Sequence, residues 1–232
     1  MKKIMFGLAA AIAMVAAADI VSANVVGYLN KTAAEGFTQI TPAFDKCDGS
    51  VTKAADIKGA FAEFDGIQIF DKDGNVETEL LYLNDSAPGV AGWYNGDMEY
   101  CGDVVIAKGA ELWLSCQASV AFTMEGQVPT VDVTKTMIEG FNAVGNSTPV
   151  DLKVSEFAFT GLSEFDGIQI FDKDGNVATE LLYLDDSAPG DAGWYNGDME
   201  YCGDVVIPAG SGFWVSCQSG GATVKIPAPV VK

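Results

Sequence analysis

One unit occupies most of this chain twice. Residues 63–117 align with residues 164–218 without a gap, and 46 of the 55 aligned positions are identical. A looser match, KTAAEGF against KTMIEGF, precedes the two copies. Such a repeat sets the architecture of a chain, and a unit of roughly 100 residues can bury a core of its own. We therefore predict two tandem domains, residues 24–128 and residues 129–232.

The amino-terminal residues 1–23 have the pattern of a secretory signal peptide. Two lysines come first, an apolar run follows from Ile4 to Ala18, and VSA at Val21–Ala23 provides small residues for cleavage. The run is shorter than the roughly 20 residues that a membrane-spanning helix needs. We expect cleavage to leave a protein without a membrane span, secreted or held at the cell surface.

The charge composition argues against several classes of function. The chain has 13 Lys and Arg against 32 Asp and Glu, a formal net charge of −19, and all 13 basic residues are lysines. Nucleic-acid binding needs a basic surface, so we expect none. The sequence contains no histidine, which removes Ser-His-Asp and Cys-His pairs and most zinc sites. Scattered carboxylates are typical of a solvated surface, so we expect no enzymatic activity.

The residue pattern of each copy is typical of an all-β fold. Short segments rich in Val, Ile, Phe, Tyr and Trp alternate with Gly, Asn, Asp and Pro, as in a β-sandwich or barrel. In WYNGDM, Trp93–Met98, an Asn-Gly pair lies between strand-like residues and predicts a hairpin. The only helix-like stretch is Thr52–Phe61. We predict two tandem β-sandwich or barrel-like domains, each with a hairpin disulfide.

Four of the five cysteines have a spacing that suits hairpin disulfides. A hairpin between Cys101 and Cys116 would place them directly opposite each other, and the same holds for Cys202 and Cys217. Cross-strand neighbours lie close enough for a bond, and export leads to an oxidising environment. We predict both disulfides in preference to a metal held by two thiolates. Cys47 has no counterpart and is a free thiol, a link between chains, or a buried inert thiol.

The sequence DKDGN, present in both copies, has two interpretations. Its alternating oxygen-bearing side chains suit calcium, but an EF-hand loop has its glycine at the sixth position and Gly74 is at the fourth. Asp-Gly between two strand-like runs predicts a hairpin turn. We favour the turn and keep weak calcium binding as the alternative. Its candidate ligands are Asp71, Asp73, Asn75, Asp172, Asp174 and Asn176.

A Trp-Tyr pair beside the Asn-Gly segment of each copy is a candidate ligand site. The pairs are Trp93 with Tyr94 and Trp194 with Tyr195. Such rings either stack on a sugar or fill the core of the domain, and the second is the more common use of a strand aromatic. The sequence leaves both interpretations open.

Several segments resemble a recurring β-domain of uncharacterised secreted bacterial β-repeat proteins. The resemblance rests on NVVGYLNKTAAEGF, the DGIQIFD and GWY segments, and AGSGFWV at Ala209–Val215. The first copy departs from this pattern, because Glu111 and Leu112 replace the Gly-Phe of the motif. The resemblance implies an extracellular β-protein and brings no catalytic residues.

These observations predict a non-enzymatic extracellular structural protein, such as a self-assembling surface-layer or fibre subunit. Exposed strand edges can pair between chains, and the segment Asn24–Leu29 is a candidate for adding to a neighbour. The alternative is a carbohydrate-binding or adhesin module, assisted by calcium, with surface glycans as partners. Apart from calcium in that alternative, we expect no cofactor.

Overall fold

The computed structural model describes residues 25–229, so the predicted signal peptide lies outside the described residues. We call residues 25–128 the first repeat and residues 129–229 the second repeat. The strands of the first repeat are β1 (Val26–Ala33), β2 (Gly36–Ile40), β3 (Lys58–Gly59), β4 (Gly66–Phe70), β5 (Val76–Leu83), β6 (Gly92–Tyr94), β7 (Leu112–Cys116) and β8 (Val120–Gln127). Those of the second repeat are β9 (Val133–Thr136), β10 (Gly140–Gly145), β11 (Leu152–Lys153), β12 (Ala158–Thr160), β13 (Gly167–Phe171), β14 (Val177–Leu184), β15 (Gly193–Tyr195), β16 (Val206–Ile207), β17 (Gly212–Cys217) and β18 (Thr223–Ile226).

The two repeats share one strand topology. Each contains a five-stranded sheet, β2-β7-β4-β5-β6 in the first and β10-β17-β13-β14-β15 in the second. Each also has a three-stranded sheet, β1-β8-β3 and β12-β18-β9, and β11 pairs with β16. All these strand pairs are antiparallel. The all-β prediction is confirmed. The predicted helical stretch contains one 3-10 turn, Ala54–Asp56, which corresponds to Val154–Glu156.

Each repeat encloses its own cluster of buried apolar side chains, drawn from both of its main sheets. In the first repeat, Ile67 and Leu80 of the five-stranded sheet share a cluster with Phe122 of the three-stranded sheet. Ile168 and Val224 belong to the matching cluster of the second repeat. Burying a side chain of this size stabilises the fold by roughly 1.5–3 kcal/mol. That each repeat folds as a domain by itself stays a prediction.

The predicted Asn-Gly hairpin forms, but with a longer loop than a two-residue turn. The backbone N–H of Cys101 donates to the carbonyl of Trp93 over 2.7 Å. Asn95 Oδ1 accepts the N–H groups of Asp97 and Glu99, so the asparagine acts as a side-chain cap of the loop. The left-handed position is Met98, with φ 61°.

The predicted disulfide hairpin is wrong. β7 lies between β2 and β4, so Cys116 is opposite Gly36 and not opposite Cys101. The chain before β7 pairs elsewhere, since Val105 bridges Lys53. In the second repeat Cys217 is likewise opposite Gly140. The prediction failed because it assumed that the segments after Cys101 and before Cys116 pair with each other. The five cysteines, Cys47, Cys101, Cys116, Cys202 and Cys217, are free thiols.

The segment Asn24–Leu29 is not a free strand awaiting a neighbour. Asn24 lies outside the described residues, and Val26–Leu29 form the start of β1, paired with β8 of the same repeat. Within residues 25–229, no helix is long and apolar enough to cross a bilayer.

Candidate functional site

The two DKDGN turns lie where the repeats meet. The carbonyl of Lys173, in the turn of the second repeat, accepts the N–H of Phe37 over 2.7 Å. The carbonyl of Lys72, in the turn of the first repeat, accepts the N–H of Phe141 over 2.7 Å. Each turn therefore binds the edge of the opposite five-stranded sheet by the same hydrogen bond.

A second reciprocal pair of hydrogen bonds lies at the far end of the same edges. Thr41 N–H donates to the Gly210 carbonyl over 3.0 Å, and Gly145 N–H donates to the Gly109 carbonyl over 3.1 Å. Because each repeat both donates and accepts the same hydrogen bonds, the two repeats are related by an approximate two-fold axis. They also cover β2 and β10, which end their sheets and would otherwise expose unpaired backbone groups.

Aromatic rings from both repeats fill the space between the turns. Trp113 and Trp214 are 6% and 7% exposed, and their ring centroids are 5.8 Å apart. Phe70 packs on Trp214 at 5.2 Å, and Phe171 packs on Trp113 at 4.9 Å. Edge-to-face pairs of this kind contribute roughly 0.5–1.5 kcal/mol beyond their buried area. We call this set the aromatic interface; its rings are Phe37, Phe70, Trp113, Phe141, Phe171 and Trp214.

The hairpin interpretation of DKDGN is confirmed. The turn joins β4 to β5, and Asp71 Oδ1 accepts the N–H groups of Asp73 and Asn75, each over 2.9 Å. These hydrogen bonds hold the pKa of Asp71 below its usual value. Gly74 has φ 79°, a conformation that glycine adopts without strain, and a Cβ at this position would come within 3.4 Å of the Trp214 ring.

The candidate calcium ligands serve the turns themselves. Asp73 pairs with Lys72 over 2.6 Å, and Asp174 pairs with Lys173 over the same distance. Asp172 Oδ1 accepts the N–H groups of Asp174 and Asn176, as Asp71 does for the residues that follow it. Across residues 25–229, no three His, Cys, Asp or Glu side chains lie together in a way that could hold a metal ion.

Glu111 is a buried carboxyl group at the centre of the contact between repeats. It is 2% exposed, and its two oxygens accept from Gln39 Nε2 over 2.8 Å and from Trp214 Nε1 over 2.9 Å. Burial raises the pKa of Glu111 to about 8, against the lowering effect of these two donors. The indole of Trp113 also lowers this pKa, but its Nε1 lies outside hydrogen-bonding geometry with any side chain of the described residues.

Two partly buried lysines, Lys31 and Lys135, flank the same contact. Lys31 Nζ crosses to the second repeat and donates to the Ala209 carbonyl over 2.7 Å and to Ser211 Oγ over 2.6 Å. Burial lowers the pKa of Lys31 to about 8. Burial also lowers the pKa of Lys135, while the nearby charge of Glu111 raises it. Both lysines begin the loose repeat, KTAAEGF and KTMIEGF, but nothing in that sequence indicated their role.

The predicted sugar-stacking rings are in the core. Trp93 and Tyr94 are each 2% exposed, and Trp194 and Tyr195 are 5% and 4% exposed. Trp93 packs against Phe61 at 5.0 Å within the cluster of the first repeat. Rings this deeply buried cannot stack on a sugar, so the structure favours the core interpretation that the sequence left open.

A different tyrosine of the same hairpin, Tyr100, is available to a ligand. It is 49% exposed, and a Cβ on Gly102 would come within 2.2 Å of its hydroxyl oxygen. Its ring lines a cavity of about 200 Å³ with Tyr82 and the edge of Trp93. Tyr201 is 56% exposed in the second repeat. The sequence signal that could have indicated these residues is the small Gly two positions after each tyrosine.

The loop 41–53 distinguishes the first repeat from the second, where the loop between β10 and β11, residues 146–151, is shorter. It contains Cys47, which is exposed. Lys46 Nζ pairs with Asp56 over 2.5 Å beside a small cavity of about 60 Å³. Cys47 lies in the part of this loop that the shorter loop of the second repeat lacks, which explains why this cysteine has no counterpart.

Comparison with known proteins gives no relative on which to base a function. No family model matches the chain. No curated protein and no solved structure matches it either.

Proposed function

We propose that this chain is an exported, non-enzymatic structural protein that assembles with further copies of itself. The observation that carries the proposal is the outer edge of β1. β1 ends its sheet, and no strand within residues 25–229 pairs with that outer side. A long exposed edge is a template for pairing with another chain.

The backbone of β1 presents alternate residues to this outer edge. Val25 O accepts the N–H of Val128 over 2.7 Å, which makes that pair a hydrogen-bonded pair of the β1-β8 ladder. Because the pattern alternates along an antiparallel pair, the backbone groups of Val26, Tyr28, Asn30 and Thr32 point outward. All four side chains are exposed, Val26 at 66% and Tyr28 at 74%.

The edge lacks the charges that usually prevent such pairing. The four outward residues are uncharged, in a chain with a net charge of −19. Lys31, the charged residue of β1, turns inward to the second repeat. An acidic surface repels a second copy at most approaches, so an uncharged strand edge favours assembly there. The corresponding edge of the second repeat, β9, has four residues against eight in β1.

Lysine substitutions on β1 test the proposal. We expect wild-type protein to sediment as a concentration-dependent oligomer and to form regular assemblies in negative-stain electron microscopy. Val26→Lys and Tyr28→Lys should abolish both, because each introduces charge at the paired edge. Val90→Lys is the matched control, since Val90 is 68% exposed in a loop. A monomeric wild type at high concentration, with and without calcium, contradicts the proposal.

The exposed tyrosines favour a second candidate, a carbohydrate-binding module. Tyr100 and Tyr201 each present a fixed, half-exposed ring, the geometry that suits stacking on a sugar. A glycan array tests this candidate. Binding that is lost in a Tyr100→Ala and Tyr201→Ala double variant, but kept in Tyr28→Ala, would place it above assembly. An array without binding rejects it.

A further inference from the structure

The repeats meet through equivalent positions that carry different residues. Thr41 faces Gly145, its equivalent when Phe37 is aligned with Phe141, and a Cβ on Gly145 would come within 2.2 Å of Thr41 Cβ. Glu111 faces its own equivalent, Gly212, and a Cβ on Gly212 would come within 1.9 Å of Glu111 Cγ. Equivalent residues that face each other lie beside the approximate two-fold axis.

The four positions lie side by side, at the same level of the β10-β17 and β2-β7 strand pairs. Gly145 is opposite Gly212 in the β10-β17 ladder. Ile40 is opposite Leu112 in the β2-β7 ladder. Thr41 directly follows Ile40, and Glu111 directly precedes Leu112. At each of the two positions the first repeat supplies a side chain and the second repeat supplies the space that it fills. Thr41 is 0% exposed and Glu111 is 2% exposed, so neither side chain has room to move into solvent.

We propose that this layer, Thr41, Glu111, Gly145 and Gly212, is a recognition surface by which a first repeat accepts a second repeat and rejects another first repeat. Its partner, other than the second repeat of the same chain, is the second repeat of another copy of this chain. Copies that associate through it do so by exchanging repeats. The proposal does not depend on the β1 edge.

Pairing of two first repeats is rejected by steric overlap. Glu111 would meet Glu111 where only a glycine fits, and Thr41 would meet Thr41. Two second repeats would pair poorly, because neither would supply a side chain to fill the layer. Four glycines would leave a void in place of two side chains, and Trp214 Nε1 would lose its acceptor.

Such a surface favours exchange because both partners are present in every chain. The connection between the repeats, residues 128–132, is short and contains Pro129. If pairing within a chain is opposed, each repeat can still find its complement in a second chain. Exchange of equivalent elements between copies needs no contact that the single chain lacks.

A mixing experiment with two full-length variants tests the proposal. Gly212→Glu gives a chain with glutamate at both positions, and Glu111→Gly gives a chain with glycine at both. Both carry Val26→Lys, so that assembly through the β1 edge does not contribute. Each variant alone should be monomeric by multi-angle light scattering, and their equimolar mixture should form a 1:1 complex of twice the chain mass.

The control is one chain with both substitutions, Glu111→Gly and Gly212→Glu. It restores one Glu-Gly pair within the chain, so we expect a monomer that forms no complex with itself. In this reversed pair Trp113 Nε1 becomes the donor nearest the carboxyl group, while Gln39 has no equivalent, because Ala143 takes its place.

A second pair of variants covers the case in which Gly212→Glu does not fold alone. Gly145→Thr and Thr41→Gly should complement each other in the same way, with far-UV circular dichroism reporting the fold of each chain. Absence of a complex in both mixtures overturns the proposal. A Gly212→Glu chain that stays monomeric with an unchanged melting temperature overturns it as well, because the layer then does not discriminate.

Discussion

The two repeats agree in topology and differ where they touch each other. Of the nine differences between residues 63–117 and 164–218, six lie between Ala107 and Leu114 and their equivalents. This segment carries Gly109, whose carbonyl binds the other repeat, and Glu111. The identical positions include both DKDGN turns and buried residues such as Ile67 and Leu80, which match Ile168 and Leu181. The comparison shows that nearly identical repeats can make an approximately symmetric contact whose centre is asymmetric.

The largest effect should come from removing either tryptophan of the aromatic interface. Trp→Ala in a core costs roughly 3–5 kcal/mol of unfolding free energy. Trp214→Ala should cost more than Trp113→Ala, by about 1–3 kcal/mol, because it also removes a donor of the buried Glu111 carboxyl group. Urea denaturation of both variants measures the difference. Equal losses of unfolding free energy in the two variants would contradict an asymmetric contact, in which only Trp214 donates to Glu111.

The stability of the protein should fall as the pH rises from about 4.5 to about 8. Glu111 has a folded-state pKa raised to about 8 by burial, against 4.5 when unfolded, so the unfolded state loses its proton first. In that window the folded state binds more protons, which makes the slope negative. At roughly 1.4 kcal/mol per pKa unit the total is a few kcal/mol. The pKa of Lys31 is lowered to about 8, so this residue changes the stability in a separate pH window, from about 8 to 10.5.

Glu111→Gln should remove this slope, because the amide does not titrate. Glu125→Gln is the control, since Glu125 lies exposed beside Lys58 at 4.0 Å. Denaturation midpoints measured between pH 4.5 and pH 8 check the prediction. A wild-type slope that persists in Glu111→Gln would show that another group causes it.

The thiols of the two repeats should react in the order of their exposure. Exposed Cys47, found only in the first repeat, should be alkylated first. Cys116 and Cys217 should be the slowest, because burial raises their pKa values to about 12 and about 11. Mass spectrometry of briefly alkylated native protein gives the order. If the unreduced, denatured protein shows Cys47 as its single alkylated thiol, the disulfides of the sequence prediction exist after all.

The smallest effect should be the same in both repeats. Asp71→Ala and Asp172→Ala each remove the side-chain cap of one DKDGN turn, so each should lower the melting temperature slightly and equally. Calcium should change the melting temperature of neither the wild type nor the variants. A calcium-dependent rise that disappears in the variants would restore the calcium interpretation.

Local patterns predicted the β-fold and the hairpins, because turn residues and strand residues act over a few positions. Asp-Gly in DKDGN predicted its turn correctly, and Asn-Gly predicted the other hairpin. The predicted hairpin between Cys101 and Cys116 was wrong, because β7 pairs with strands that come much earlier in the sequence. Glu111 was noticed as a departure from a motif, but its role depends on Gly212 and Trp214, which only the folded chain brings close to it.

The central claim is that the two repeats hold each other by reciprocal backbone hydrogen bonds around an asymmetric centre. Hydrogen exchange of the wild-type protein, followed by NMR, tests it most directly. The amides of Phe37, Thr41, Phe141 and Gly145 lie on sheet edges and are protected only if the repeats pack as described. The account predicts that all four exchange as slowly as amides inside the five-stranded sheets. Exchange of these four at the rate of exposed amides, with the sheets still protected, would contradict it.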